Sequence, residues 1–221
     1  MRRISWLAAT IVLATCAWAQ QPDVHKIAEQ VDHRYNDLKT LQATFTESYR
    51  GNGISRDESG TLYLKRPGKM RWDYIQPRPK LFVTDGKVAW FYVPGEQQAR
   101  RAPVKALDDL RSPLRYLLGH TKLEKEFKGL SLAPDVAPLE AADVVLRGVP
   151  KGMEDTIAQV LLEITPDRHI RSITIEEVDG TTTQFRLSDQ KENVAVADQR
   201  FKFKPPAGVE TVEAGDLTLG N

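Results

Sequence analysis

Residues 60–74 read Gly-Thr-Leu-Tyr-Leu-Lys-Arg-Pro-Gly-Lys-Met-Arg-Trp-Asp-Tyr, which is the pattern of a β-hairpin. Side chains alternate between the two faces of a strand, so Leu62 and Leu64 share one face and Arg66 ends their row. The Pro-Gly pair at 67–68 predicts the turn. Because a guanidinium keeps its charge, an arginine at the end of an apolar row needs hydrogen-bond acceptors.

The return strand of this hairpin is also two-sided. Its apolar face carries Met70, Trp72 and Tyr74, and its charged face carries Lys69, Arg71 and Asp73. The hairpin therefore predicts an apolar wall with one fixed cation at its rim. Two interpretations stay open, because a filled core and a cavity that holds a ligand require the same alternation. Trp72 is then either a core aromatic or a cavity residue, and Arg66 either extends to solvent or donates to backbone carbonyls of a lid.

Strand patterns continue on both sides of the hairpin. From Leu41 the apolar period is two, with Phe45 in the inward row, and Asp85-Gly86 between apolar runs predicts a further hairpin. More strands are expected in the second half of the chain, at 139–147, 158–165, 170–176, 181–187 and, before two prolines, 199–204. About ten strands exceed what a flat layer tolerates, so we expect the sheet to curl.

Two segments have the spacing of helices. Residues 23–38 carry an apolar stripe, with Asp23 placed as the N-cap. A second helix is predicted at Pro113–Leu118, capped by Ser112 and ended by Gly119. The predicted fold class is mainly β (α+β): a curled antiparallel sheet whose concave side lies under helices, like a cup with a lid.

The start of the chain predicts a secretory signal peptide at 1–19, followed by a single domain at 20–221. Two arginines precede the apolar run Ile4–Ala14, and Ala17-Trp18-Ala19 fits a small-x-small cleavage site. A membrane anchor is the weaker alternative, because the apolar run is short. Processing at Cys16 as a lipoprotein is a further alternative, although Thr15 suits it poorly. Cys16 is the single cysteine, so the mature chain carries no disulfide.

Composition and motifs favour a binding protein over an enzyme. The net charge of +1 gives no electrostatic case for a nucleic-acid partner. The four histidines form no HExxH pattern, and the chain has no CxxC, GxSxG, Walker or GxGxxG motif. We therefore expect no catalytic residue, no metal site and no cofactor.

The expected site is the inward face of the sheet. It consists of Arg66 at the rim and the apolar side chains Phe45, Leu62, Leu64, Met70 and Trp72. By alternation alone, further inward residues are Val160, Leu162, Ile173, Ile175, Phe185 and Leu187.

Several short stretches occur together in one order and spacing. They are 41–46 (Leu-Gln-Ala-Thr-Phe-Thr), 60–67, 70–72 (Met-Arg-Trp), 85–87 (Asp-Gly-Lys), 90–92 (Trp-Phe-Tyr) and 201–209 (Phe-Lys-Phe-Lys-Pro-Pro-Ala-Gly-Val). In these stretches the chain resembles the LolA-type family of periplasmic outer-membrane lipoprotein carriers, and the resemblance covers essentially the whole mature region.

The resemblance implies an unclosed β-barrel with a helical lid over an apolar cavity. It implies a monomer in the periplasm that takes triacylated lipoproteins from an ATP-driven inner-membrane release complex and delivers them to an outer-membrane acceptor. The family's arginine that holds the lid falls on Arg66, and its cavity tryptophan falls on Trp72. A member of the family has a phenylalanine at the position of Met70. A periplasmic lipid-binding sensor, or an acceptor lipoprotein of the same fold, is the alternative function.

We predict cleavage after Ala19, because the Ala-Trp-Ala site is well formed and the sequence before Cys16 is not. Intact-mass analysis of the exported protein is expected to give a chain that begins at Gln20. An N-terminus at Cys16 that carries a diacylglyceryl group would instead place the protein with the acceptor lipoproteins.

Overall fold

The computed structural model describes residues 22–104 and 122–214. The predicted signal peptide, the cleavage site and the predicted helix Pro113–Leu118 lie outside these residues. The described part contains two α-helices, α1 (Val24–Asp37) and the short α2 (Leu123–Glu126), and a 3-10 turn at Asp198–Phe201. Its strands are β1 (Thr40–Gly51), β2 (Ile54–Lys65), β3 (Lys69–Gln76), β4 (Lys80–Asp85), β5 (Val88–Tyr92), β6 (Gln98–Pro103), β7 (Phe127–Leu132), β8 (Val144–Pro150), β9 (Ile157–Ile164), β10 (Ile170–Glu177), β11 (Thr182–Glu192) and β12 (Glu210–Glu213).

These strands form one twelve-stranded sheet in the order β12-β6-β5-β4-β3-β2-β1-β11-β10-β9-β8-β7. All neighbours pair antiparallel except β12, which runs parallel to β6. The sheet does not close, since the order of the described strands ends at β12 on one side and β7 on the other. The predicted mainly β fold with an unclosed, curled sheet is confirmed.

The central hairpins have clear local causes. Asn52 and Gly53 both adopt positive φ, 50° and 75°, which a two-residue turn between β1 and β2 requires. This turn lets β2 begin at Ile54, six residues before the stretch 60–74 in which the sequence predicts the hairpin. The hairpin of 60–74 is present, with Leu62 opposite Trp72 and Leu64 opposite Met70.

Two expected strands differ from the structure. The segment at 199–204 begins with the 3-10 turn, because Val196 and Phe201 insert into the convex face of the sheet instead of following its edge. The strand expected from residue 139 begins only at Val144. Before it, the amides of Leu139 and Glu140 donate to the buried Glu163 carboxylate, at 2.7 and 3.4 Å, and so leave the ladder.

Helix α1 covers the concave face. Asp23 is its N-cap, as predicted, and its carboxylate accepts from the amides of His25 and Lys26 at 3.0 and 3.3 Å. The buried side of the helix carries Ile27, Ala28, Val31 and Tyr35, which pack in one apolar cluster with the inward side chains of the strands. No helix among the described residues is long and apolar enough to cross a membrane.

Candidate functional site

The inward row of the central strands brings the expected apolar residues together. Phe45 and Leu187 face each other across β1 and β11, and Leu62 faces Trp72 across β2 and β3. The five expected residues have at most 6% of their surface exposed: Phe45, Leu62, Leu64, Met70 and Trp72. The six residues expected on alternation alone are buried in the same cluster: Val160, Leu162, Ile173, Ile175, Phe185 and Leu187. The concave face is thus one continuous apolar surface.

An aromatic group forms the middle of this surface. The ring of Phe45 meets Trp72 edge-on at 4.5 Å between centroids and Tyr74 at 4.9 Å, and Phe185 lies 5.8 Å from Trp72. Trp72 Nε1 donates to Met70 Sδ at 2.7 Å, so the buried indole N–H has an acceptor. Gly60 leaves room for these contacts, since a Cβ there would lie 2.9 Å from the Phe45 ring and 1.9 Å from the carbonyl of Asp73.

Arg66 joins the hairpin to the end of α1. Its Nη1 donates to the carbonyl of Asn36 at 3.0 Å, and its Nη2 donates to the carbonyl of Tyr35. Carbonyls in the last turn of a helix have no partner within the helix, and their partial negative charge favours a cation. Partial burial lowers the pKa of the guanidinium and the Asp37 carboxylate raises it, but an arginine remains charged. The expected contacts with 112–119 lie outside the described residues.

A second polar group holds the same end of α1. Arg34 Nε donates to Glu192 Oε1 at 2.6 Å, and Arg34 Nη1 donates to the carbonyl of Asp167 at 3.0 Å. Its Nη2 lies 2.6 Å from His169 Nε2. Burial and the Arg34 charge lower the pKa of His169, so the neutral ring accepts this bond. Sequence analysis missed the group, because Arg34 lies more than a hundred residues from each of its three partners.

Four inward polar residues end the apolar surface at the other end of the central strands, and we call them the polar layer: Glu47, Glu58, Tyr74 and Lys80. They are 3–7% exposed. Lys80 Nζ binds Glu58 Oε2 at 2.5 Å, and Tyr74 donates its hydroxyl to Glu47 Oε2 at 2.8 Å. Burial raises the pKa of Glu47 to about 7, against the opposing effects of the Tyr74 hydrogen bond and the Lys80 charge.

Sequence analysis also missed the polar layer, although one signal was present. Glu47 continues the inward row of Ala43 and Phe45, where a carboxylate breaks the apolar pattern. Within 22–104 and 122–214, no three histidine, cysteine or acidic side chains are grouped so that they could hold a metal ion, and this includes the polar layer.

The sequence matches known proteins across most of its length. The family model for the outer membrane lipoprotein carrier protein LolA matches residues 36–204. An outer-membrane lipoprotein carrier protein from Chromobacterium violaceum is 32% identical over 95% of this chain and 96% of that protein. Another from Dechloromonas aromatica is 33% identical over 84% of this chain and 88% of that protein.

A solved structure shares the fold. An uncharacterized conserved protein from Thermus thermophilus aligns with a TM-score of 0.52 at 15% sequence identity. The alignment covers 86% of this chain and 98% of that one. At this identity the likeness concerns the fold alone.

We predict that replacing Glu47 by Gln changes how stability depends on pH. The folded-state pKa of about 7 lies above the ordinary 4.5, so the folded state binds this proton more tightly than the unfolded state does. The proton's stabilising contribution is full below pH 4.5 and is lost as pH rises through about 7. Relative to the parent, Glu47→Gln is expected to gain about 3 kcal/mol in free energy of unfolding across that window.

Urea unfolding at a series of pH values measures this difference. Glu210→Gln is the matched control, since Glu210 is exposed, and its difference from the parent is expected to stay constant. A constant difference for Glu47→Gln as well would show that the Glu47 carboxyl is not perturbed by burial.

Proposed function

The chain belongs to the LolA family of outer membrane lipoprotein carrier proteins, and we propose that it carries lipoproteins by enclosing their acyl chains between its curled sheet and α1. The observation that supports this mechanism is the continuous apolar concave face, which only helices cover in the described residues.

Enclosure of the acyl chains provides the driving force for carriage. Each methylene removed from water stabilises the bound state by about 0.8 kcal/mol, so a free lipoprotein does not leave a membrane unaided. The inward side chains provide the apolar environment that replaces the membrane. Met70 suits this role because its flexible thioether adapts to chains of different shape.

Loading requires α1 to move away from the sheet. Phe45, Leu62 and Trp72 have no exposed surface in the closed arrangement, so an acyl chain enters only when the helix and its apolar stripe withdraw. The helix is held at its end by the bonds of Arg66 and Arg34. Hydrogen bonds to charged groups contribute about 2 kcal/mol each. Arg66 is therefore the latch: its bonds form on closing and compete with bound cargo.

The direction of transport must come from partners, since the chain has no nucleotide-binding motif. We propose that the protein works in the periplasm as a monomer. It receives triacylated lipoproteins from an ATP-driven inner-membrane complex and delivers them to an outer-membrane acceptor. Its role is that of a carrier without catalytic chemistry of its own.

Binding of acyl chains is expected to change the fluorescence of Trp72. The mature chain has a second tryptophan, Trp90, on the convex face, so Trp90→Phe first isolates the signal. A synthetic triacylated lipopeptide is expected to shift the emission saturably, because the chains would replace the Phe45 and Phe185 contacts of the indole. The same peptide without acyl chains is the control. Unchanged emission at saturating lipopeptide would count against the site.

Arg66→Leu is expected to load lipoprotein and release it slowly. The variant keeps the apolar face, so it still binds acyl chains. When α1 closes on the empty face, however, the bonds to the carbonyls of Tyr35 and Asn36 no longer form. The equilibrium between the loaded and the closed, empty form therefore shifts towards the loaded form. Transfer from purified loaded carrier to acceptor-bearing vesicles measures the effect. We expect the rate to fall by between about tenfold and about a thousandfold, the larger value being what two bonds of about 2 kcal/mol each would give.

The matched control for this variant is Arg71→Leu. Arg71 lies on the same hairpin but on its outer face, paired with Asp73. Arg71→Leu removes an arginine that makes no contact with α1, so the transfer rate of this variant is expected to equal that of the parent. If Arg66→Leu also transfers at the parent rate, Arg66 is not a latch.

A further inference from the structure

The polar layer spans two adjacent levels of four neighbouring strands. Glu47 on β1 lies directly opposite Glu58 on β2, and Tyr74 on β3 lies directly opposite Lys80 on β4. Tyr74 also lies opposite Gly60, which is the partner of Phe45 on β1. One inward position closer to Arg66, β3 and β4 carry Trp72 and Phe82. The concave face therefore changes from apolar to polar across these two levels, where side-chain bonds join Tyr74 to Glu47 and Lys80 to Glu58.

The charges of this layer satisfy one another. Lys80 is bound by Glu58 at 2.5 Å and lies 4.4 Å from the ring centre of Tyr74. Glu47 accepts from Tyr74, and Arg56 Nε lies 3.4 Å from Glu58 Oε2. An acyl chain that entered this level would separate these groups and leave them buried without water or a partner. Breaking a buried ion pair costs more free energy than the burial of a few methylenes provides.

The position of the layer gives the apolar surface a measurable depth. On β1, the inward row runs from Leu41, opposite Leu64 beside the latch, to Phe45, opposite Gly60. The four residue steps from Leu41 to Phe45 span roughly 13 Å at the usual rise of a strand. Glu47 follows at the next inward position. Acyl chains that enter beside α1 thus meet a charged floor after a fixed length of apolar surface.

We propose that the polar layer, through Glu58 and Lys80, limits how far acyl chains penetrate and so selects lipoproteins by the length of their chains. The inference rests on the proposed function, because it concerns the same acyl-binding surface. The layer acts as a floor: methylenes up to its level are buried among apolar side chains, and further methylenes are not. Affinity therefore rises with chain length up to a limit and then stops rising.

The experiment uses triacylated lipopeptides of one peptide sequence that carry octanoyl, decanoyl, lauroyl, myristoyl or palmitoyl chains. Binding is followed by Trp72 emission in the Trp90→Phe protein. Each added methylene that is buried is expected to strengthen binding about fourfold. For the parent we expect this rise to end within the series. For Glu58→Met with Lys80→Met, which removes both charges together and leaves neither unpaired, we expect the rise to continue to longer chains.

The matched control removes an ion pair outside the concave face. Asp135→Asn with Arg147→Met deletes a pair of 2.7 Å whose aspartate is exposed. This variant is expected to keep the parent's dependence on chain length, so a change seen only in the Glu58 and Lys80 variant comes from the floor and not from a general loss of stability.

The outcomes separate the two proposals. A parent that binds none of the lipopeptides overturns the proposed function and the floor together. A parent that binds them with affinity rising through the whole series overturns the floor alone, and this result needs no variant to fold. A Glu58 and Lys80 variant that folds and keeps the parent's limit also overturns it. A limit in the parent that moves to longer chains in this variant alone supports the inference.

Discussion

A sheet of twelve strands that does not close has an apolar concave face, and the rest of the structure depends on how that face is covered. Burial of this surface is the main favourable contribution to folding. A second sheet would cover it permanently. Among the described residues the helix α1 covers it instead, with four buried side chains on one stripe, Ile27, Ala28, Val31 and Tyr35. In the proposed mechanism the acyl chains of the ligand replace this stripe.

The convex face shows the opposite arrangement. The C-terminal segment lies across β2 to β5, where Val196 and Phe201 pack against Val83, and Phe203 packs against Trp90. Asp198 binds Lys65 and Lys69 at 3.0 and 2.8 Å, and these two lysines lower the pKa of its carboxyl to about 2. This face is fixed by apolar contacts and ion pairs together. The hairpin β2–β3 is thus supported from outside, while its inner face is buried in the apolar cluster that includes α1.

The two ends of the concave face are held by different kinds of contact. At one end, Arg66 and Arg34 hold α1 through hydrogen bonds to backbone carbonyls and to one carboxylate, which break and form again without burying a new charge. At the other end, Glu58 and Lys80 are buried within the sheet itself. A buried ion pair resists separation much more strongly than hydrogen bonds at a partly exposed rim do. The bonds at the Arg66 and Arg34 end are therefore the ones that the proposed opening of α1 would break.

The sequence by itself determined the parts that depend on neighbouring residues. Alternation placed Phe45, Leu62 and Trp72 on the inward face, and the cap at Asp23 with the apolar stripe behind it defined α1, because strand and helix periods are properties of a few consecutive residues. It also indicated that Arg66 needs acceptors. Which acceptors it finds, at Tyr35 and Asn36, was decided only by the tertiary structure, as were the parallel pairing of β12 and the turn at 198–201. The polar layer has the same origin: Glu47 alone is an exception in an apolar row, and its partners become visible only when strand pairing brings Glu58, Tyr74 and Lys80 beside it. A buried charge is satisfied by groups far away in the chain, and local patterns carry no information about those groups.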